Sequence, residues 1–193
     1  GEATGDGKVA NFGTAAGLMP KENVHILWGM SKDFGMSGLR LGVLWTTNPK
    51  LREAMETAVT FACVSGPAQA MTAEVLSDDA FVKRFVDYNN CMLRRSLDLV
   101  EATLRKDGIP YYPAESGMFL WFDMGEFTST WDEEAELYEK LWKEAKIILT
   151  PGSSQHADRP GWFRMCYAFV PAPALELALS RMSKYIASRR RSA

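Results

Sequence analysis

The chain has 193 residues, 47% of them hydrophobic and 24% charged, with a formal net charge of −2. That length can bury a sizeable core in one or two domains, and interspersed charges that nearly cancel argue against nucleic acid as a partner. With no apolar run near the roughly 18 residues that cross a bilayer, and no charged-then-apolar start of the secretion type, no membrane partner is expected and a cytoplasmic setting is.

Residues 1–23 are glycine-rich and weakly patterned, which reads as loop or partly disordered chain. Two apolar runs follow, His25-Ile26-Leu27-Trp28 and Leu41-Gly42-Val43-Leu44-Trp45, both expected as buried strands. Asn48-Pro49 has the form of a helix start, a side-chain cap followed by proline at the first position. That helix should run through Leu51, Met55, Val59 and Cys63 until Ser65-Gly66-Pro67 breaks it, with a short helix over 68–76 behind it. Ser77-Asp78-Asp79 then caps a long helix to about Lys106, on which Phe81, Phe85, Tyr88, Met92, Leu93, Leu97, Val100 and Leu104 form a core stripe.

Asp107-Gly108 ends the long helix. Strands are expected over 109–112 and 117–123, then a helix opened by the capping box Thr130-Trp131-Asp132-Glu133, carrying Tyr138, Leu141, Trp142 and Ala145 on one face. Strands over 146–149 and 162–169 flank a turn at Pro151-Gly152-Ser153-Ser154, and Pro171 and Pro173 open a last helix with Leu175, Ala178, Leu179, Met182 and Ile186 inward. Arg189-Arg190-Arg191 reads as a solvated, frayed tail. Cys63, Cys91 and Cys166 are odd in number and sit among apolar residues, as buried thiols do, and with only His25 and His156 no metal site is assigned. His156 reads as a solvated loop histidine.

The stretch Ser31-Lys32-Asp33-Phe34-Gly35-Met36-Ser37-Gly38-Leu39-Arg40-Leu41-Gly42 carries the chemistry. A lysine pushed into low dielectric at the end of a buried strand loses solvation, so a neutral amine becomes available near pH 7, as Schiff-base chemistry requires. Eight positions on, Arg40 offers a planar charged fork suited to a phosphate. A carbonyl for the lysine and a phosphate for the arginine are both found on pyridoxal phosphate. Further along, Arg164 lies in the apolar run 162–170, where a cation drawn inward needs a carboxylate partner.

The first of these stretches resembles the cofactor-lysine motif of class I/II aminotransferases, fold type I, and is most similar to the 1-aminocyclopropane-1-carboxylate (ACC) synthase branch. Ile148-Leu149-Thr150-Pro151-Gly152-Ser153-Ser154-Gln155-His156 with Pro160-Gly161-Trp162-Phe163-Arg164-Met165-Cys166-Tyr167-Ala168 resembles the family's segment for gripping the substrate α-carboxylate. Ala114-Glu115-Ser116-Gly117-Met118-Phe119-Leu120-Trp121-Phe122-Asp123-Met124 is similar to the strand that begins the small domain's sheet. The resemblance runs from about residue 22 to about 187 and covers the C-terminal half of such an enzyme. It implies an α/β fold made of the end of the large-domain sheet over 1–78 and an α+β small domain over 79–193.

The resemblance further implies pyridoxal 5′-phosphate as cofactor, Lys32 as the catalytic and cofactor-bound residue, Ser31 and Arg40 as phosphate ligands, and Arg164 as the ligand of an amino-acid substrate. Where relatives often carry a phosphate-binding serine three positions before the lysine, this chain has Gly29. Ahead of Lys32 nothing matches the family's ring-stacking residues or its pyridine-nitrogen aspartate, and Asp6 is not assigned that role. The implied reaction is α-proton abstraction by Lys32, followed by ring closure on S-adenosylmethionine in a synthase, or by loss of a keto acid in an aminotransferase. A catalytically silent fragment of such an enzyme is the third reading, and the complete protein is expected to be a homodimer.

Overall fold

The computed structural model describes residues 21–192. The expectation of a loop over 1–23, and Asp6 with it, falls largely outside them. The chain divides into two compact units that part between Asp87 and Tyr88.

In the first unit, β1 (His25–Gly29) and β2 (Gly42–Thr46) form an antiparallel pair in which His25 faces Thr46 and Gly29 faces Gly42. Between them lie the single helical turn α1 (Met30–Asp33) and a 3-10 turn, Ser37–Leu39. The helix α2 (Pro49–Val59) begins as the sequence indicates: the Asn48 side chain accepts the Leu51 N–H at 3.1 Å, and Pro49 occupies a position where a missing N–H costs nothing. In α3 (Gly66–Ser77) the Ser65 hydroxyl caps the Ala68 N–H, so the Ser65-Gly66-Pro67 break is also a start. The helix α4 (Asp79–Lys106) is opened by Asp78, whose carboxylate accepts the Phe81 N–H at 2.8 Å.

The second unit is built on a four-stranded antiparallel sheet in the order β3-β4-β6-β5, where β3 is Tyr111–Tyr112, β4 Phe119–Asp123, β5 Thr150–Pro151 and β6 Trp162–Cys166. Alternation along the strands assigns their faces. Leu120, Phe122, Phe163 and Met165 point into a core shared with Leu97, Val100 and Leu104 of α4, Leu137 and Leu141 of α5 (Trp131–Lys143), and Leu175, Leu179, Met182 and Ile186 of α6 (Ala172–Ser192). Each such side chain contributes about 1.5–3 kcal/mol on burial. The capping box at Thr130 and Glu133 is present with both of its hydrogen bonds.

Several expectations need correction. The strands β1 and β2 are not buried: Leu27 is 77% exposed, and Val43 and Trp45 are exposed as well. The stripe of α4 is buried only in its second half, because Phe81 and Tyr88 face solvent. Trp142 is exposed, and the buried side of α5 is Glu134, Leu137 and Leu141. No strand spans 146–149. Ile147 and Leu149 are buried and Ile148 exposed, the alternation of a strand, but ladder pairing begins only at Thr150. Lys146 takes a left-handed φ of 59° and Ile147 N–H returns to the Leu141 carbonyl, which closes α5 and delays the pairing.

Cys63 and Cys91 are exposed and Cys166 half-buried, against the reading of buried thiols. The terminal arginines are not a frayed tail either. They continue α6, and Arg190 donates from Nε and Nη2 to the two carboxylate oxygens of Glu126 at 2.6 and 2.7 Å, and from Nη1 to the Asp107 carbonyl at 2.6 Å.

Candidate active site

Lys32 sits in α1, and the residues around it are fixed individually. Met30 is fully buried, its N–H bonds the Leu41 carbonyl at 3.3 Å, and its carbonyl accepts the Met36 N–H at 3.0 Å, so the connection between β1 and β2 is tied across its base. Trp28 donates its indole N–H to Asp33 at 2.7 Å. Phe34 is buried and stacks on Phe85 with ring centroids 5.1 Å apart. Among these anchored neighbours the Lys32 side chain is exposed, and while its carbonyl accepts the Gly35 N–H at 3.3 Å, its amine has no ion pair or hydrogen bond among the described residues. The expectation of a desolvated lysine is therefore corrected: in this chain the amine stands in solvent, because the buried members of the turn are Met30 and Phe34.

Ser31 is half-buried, and Arg40 is exposed on the same connection. Arg40 adopts a left-handed backbone, φ 51° and ψ 37°, which costs a residue with a Cβ about 1 kcal/mol. Its Nη1 donates to the Ser37 carbonyl at 3.1 Å, and the rest of its fork meets no acceptor among the described residues. Gly35 turns the chain after α1 at φ 65°, a conformation that glycine adopts without strain.

In the second unit Arg164 occupies the middle of β6, opposite Trp121 of β4 on one side and Thr150 of β5 on the other. Its face of the sheet is the one turned away from the core, and it is aromatic. The Arg164 guanidinium carbon lies 4.5 Å from the Phe119 ring centroid. Trp121 stacks on Trp162 at 5.7 Å and 7°, Tyr112 stacks on Trp162 at 5.2 Å, and Arg159 covers Trp162 while bonding Asp123 at 2.6 Å. Arg164 is half-buried, and no described carboxylate pairs with it. Its Nε is buried and without a hydrogen-bond partner. A buried N–H of a cation left unpaired costs on the order of 1–3 kcal/mol, so the position suits an anionic ligand that accepts from it. His156 is exposed at the end of the 3-10 turn Gly152–Gln155.

Sequence reasoning passed over Glu134, a fully buried carboxylate that accepts the Ser153 N–H at 3.0 Å and the Gly161 N–H at 2.7 Å. The signal was present: Glu134 shares helical spacing with Leu137 and Leu141, so an acid stands on the apolar side of α5.

These groups suit pyridoxal phosphate. In the first unit an exposed primary amine, a half-buried hydroxyl and a guanidinium with open donors have the chemistry to take an aldehyde and a phosphate; in the second, a guanidinium with a buried, unpartnered N–H has the chemistry to take a carboxylate. Two surface depressions, of about 440 and 570 Å³, are lined by other residues.

Comparison with solved structures defines the class. The chain superposes on an aromatic aminotransferase from Pyrococcus horikoshii with a TM-score of 0.78 and 24% identity, over 88% of this chain and 44% of that one. An aspartate aminotransferase from Thermus thermophilus gives a TM-score of 0.77 and 22% identity, over 89% and 42%. The fold is thus that of part of a fold type I aminotransferase. The family model for aminotransferase class I and II matches residues 2–182, and the chain belongs to that family. Among relatives, 1-aminocyclopropane-1-carboxylate synthase 4 of Oryza sativa is 37% identical over 86% of this chain, and 1-aminocyclopropane-1-carboxylate synthase 7 of Arabidopsis thaliana 35% over 89%. The chain spans 35% and 39% of the length of those two relatives.

Proposed function

We propose that this chain is part of a pyridoxal-phosphate enzyme acting on an amino acid, with the ACC synthase reaction as its chemistry. The observation that carries the reading is Arg164, a cation with a buried, unpartnered Nε in the middle of a strand. The relatives at 37% and 35% identity, both 1-aminocyclopropane-1-carboxylate synthases, support the synthase over the aminotransferase reaction.

In this reading Ser31 and Arg40 would hold the cofactor's phosphate and the Lys32 amine would be the group that holds its aldehyde. When bound, pyridoxal phosphate supplies an electron-withdrawing ring that makes the α-hydrogen of an amino acid acidic. Arg164 receives the substrate α-carboxylate through two parallel hydrogen bonds and so orients the α-carbon. The Lys32 amine would serve as the base that takes the proton from that carbon. A synthase then closes the α-carbon onto the γ-carbon of S-adenosylmethionine and expels methylthioadenosine, whereas amino transfer returns the proton through Lys32 and releases a keto acid.

The division into a large-domain part, 1–78, and a small domain, 79–193, belongs to the same proposal, as do a cytoplasmic setting and a homodimer in the complete protein. A second reading, a folded but catalytically silent chain, is favoured by the exposure of Lys32 and of Leu27, Val43 and Trp45. Incubation with pyridoxal phosphate and S-adenosylmethionine, and separately with a panel of amino and keto acids, decides among the three. Methylthioadenosine release supports the synthase, keto acids without it support amino transfer, and neither product supports the silent chain.

A further inference from the structure

We infer that Glu134 is a positioning residue for Arg164, acting through the connection between β5 and β6. The inference rests on Arg164 as the carboxylate ligand of the proposed function.

Glu134 lies in the first turn of α5, where a negative charge is favoured by the helix N-terminus. It is fully buried and has no cationic partner among the described residues. A carboxylate in that situation persists only if N–H donors replace its water, and it has two. Oε1 accepts from Ser153, just after β5, and Oε2 accepts from Gly161, the residue before β6. One side chain therefore ties both ends of the connection that joins the two strands.

The far end of that connection has no slack. The Gly161 carbonyl accepts the Met124 N–H at 2.7 Å, its φ is +98°, and a Cβ there would stand 2.6 Å from the Gly125 Cα. Near its start, the Gly152 carbonyl accepts the Ala157 N–H at 3.1 Å. Arg164 follows Gly161 by three positions and is paired with Thr150, which precedes Ser153 by three. Register and twist of β6 at Arg164 are thus set from both sides by the two oxygens of Glu134. A guanidinium aimed at a carboxylate through parallel hydrogen bonds tolerates little rotation, so loosening this tie should weaken carboxylate recognition without removing any group that touches the ligand.

The test uses the whole chain and two probes: N-(5′-phosphopyridoxyl)-L-alanine, which carries a carboxylate, and pyridoxamine 5′-phosphate, which does not. The ratio of their Kd values is measured for the parent chain, Glu134→Gln, Glu134→Asp, Arg164→Leu and the double variant Glu134→Gln/Arg164→Leu, alongside amide hydrogen exchange at Ser153 and Gly161. Glu134→Gln and Glu134→Asp are expected to speed both amides and to lower the preference for the alanine adduct about tenfold, with pyridoxamine 5′-phosphate affinity unchanged and no further loss in the double variant. Ser153→Pro, which deletes one N–H donor and leaves the acid in place, carries the same comparison if the Glu134 variants do not fold, with a smaller fall expected. Free amides with the preference intact overturn the inference alone. A parent chain without the preference, or Arg164→Leu with it intact, overturns the carboxylate role of Arg164 and the inference with it.

Discussion

The guanidinium of Arg164 lies over the ring of Phe119, 4.5 Å from its centroid, while the Nε of the same side chain is buried with no hydrogen-bond partner. Stacking supports the charge by roughly 0.5–1 kcal/mol, and the orphaned N–H costs on the order of 1–3 kcal/mol. On balance the unpaired donor outweighs the stacking, so the placement of this side chain is a net cost to the fold.

Arg164→Leu should accordingly leave the chain no less stable, within about 1 kcal/mol by denaturant titration, because the unpaired donor goes with the stacking. The same substitution should weaken an amino-acid carboxylate about 100-fold, the equivalent of about 2.7 kcal/mol for a charge-assisted pair of hydrogen bonds. A clear loss of stability with unchanged ligand affinity would make Arg164 a structural residue.

Gly161→Ala should be among the costliest single changes in the second unit. A Cβ at φ +98° would meet the Gly125 Cα at 2.6 Å and its N at 2.8 Å, both backbone atoms that cannot step aside. A loss of more than about 2 kcal/mol is expected. Thermal unfolding followed by circular dichroism checks it, with Gly38→Ala, whose added Cβ meets nothing within 4 Å, as the comparison.

Tyr167 is buried and donates its hydroxyl to the Gly117 carbonyl at 2.8 Å. Burial first, then the neighbouring Cys166, raises its pKa above the ordinary 10.0. A phenol raised in the folded state stabilises the fold fully below pH 10 and progressively less as pH climbs through the raised value, since the unfolded chain gives up the proton first. Stability should therefore fall above about pH 10. Tyr167→Phe should flatten that fall and cost about 1 kcal/mol at neutral pH, read from urea unfolding at a series of pH values.

Arg190 is held by Glu126 through two hydrogen bonds and by the Asp107 carbonyl, and the Glu126 hydrogen bonds raise its pKa above the usual value. Both side chains are about 40% exposed, so solvent screens the pair and Arg190→Lys should cost no more than about 1 kcal/mol, less in high salt. Melting curves with and without added salt test this.

Features set by local hydrogen bonding were legible in the sequence. The Thr130–Glu133 capping box, the Asn48-Pro49 start and the Asp78 cap each need only a few adjacent residues, and each is present. The inward stripe Leu175, Leu179, Met182 and Ile186 of α6 was equally plain, because 3.6-residue periodicity encodes it directly. Burial was less legible. Leu27, Val43 and Trp45 have the composition of a core strand, yet what covers a strand is decided by distant chain, and here they are exposed. The same dependence misled the reading of Lys32, whose solvation is fixed by Met30 and Phe34 taking the interior. Glu134 escaped notice because its two partners are backbone N–H groups 19 and 27 positions away, which no side-chain pattern reveals.

The most direct measurement is reduction of the chain with borohydride in the presence of pyridoxal phosphate, followed by peptide mapping of the phosphopyridoxyl group. The expected result is labelling at Lys32 at low cofactor concentration, lost in Lys32→Ala and weakened in Arg40→Ala. Labelling spread evenly over exposed lysines such as Lys83 and Lys143, with Lys32 not favoured, would contradict the assignment of this lysine to the cofactor.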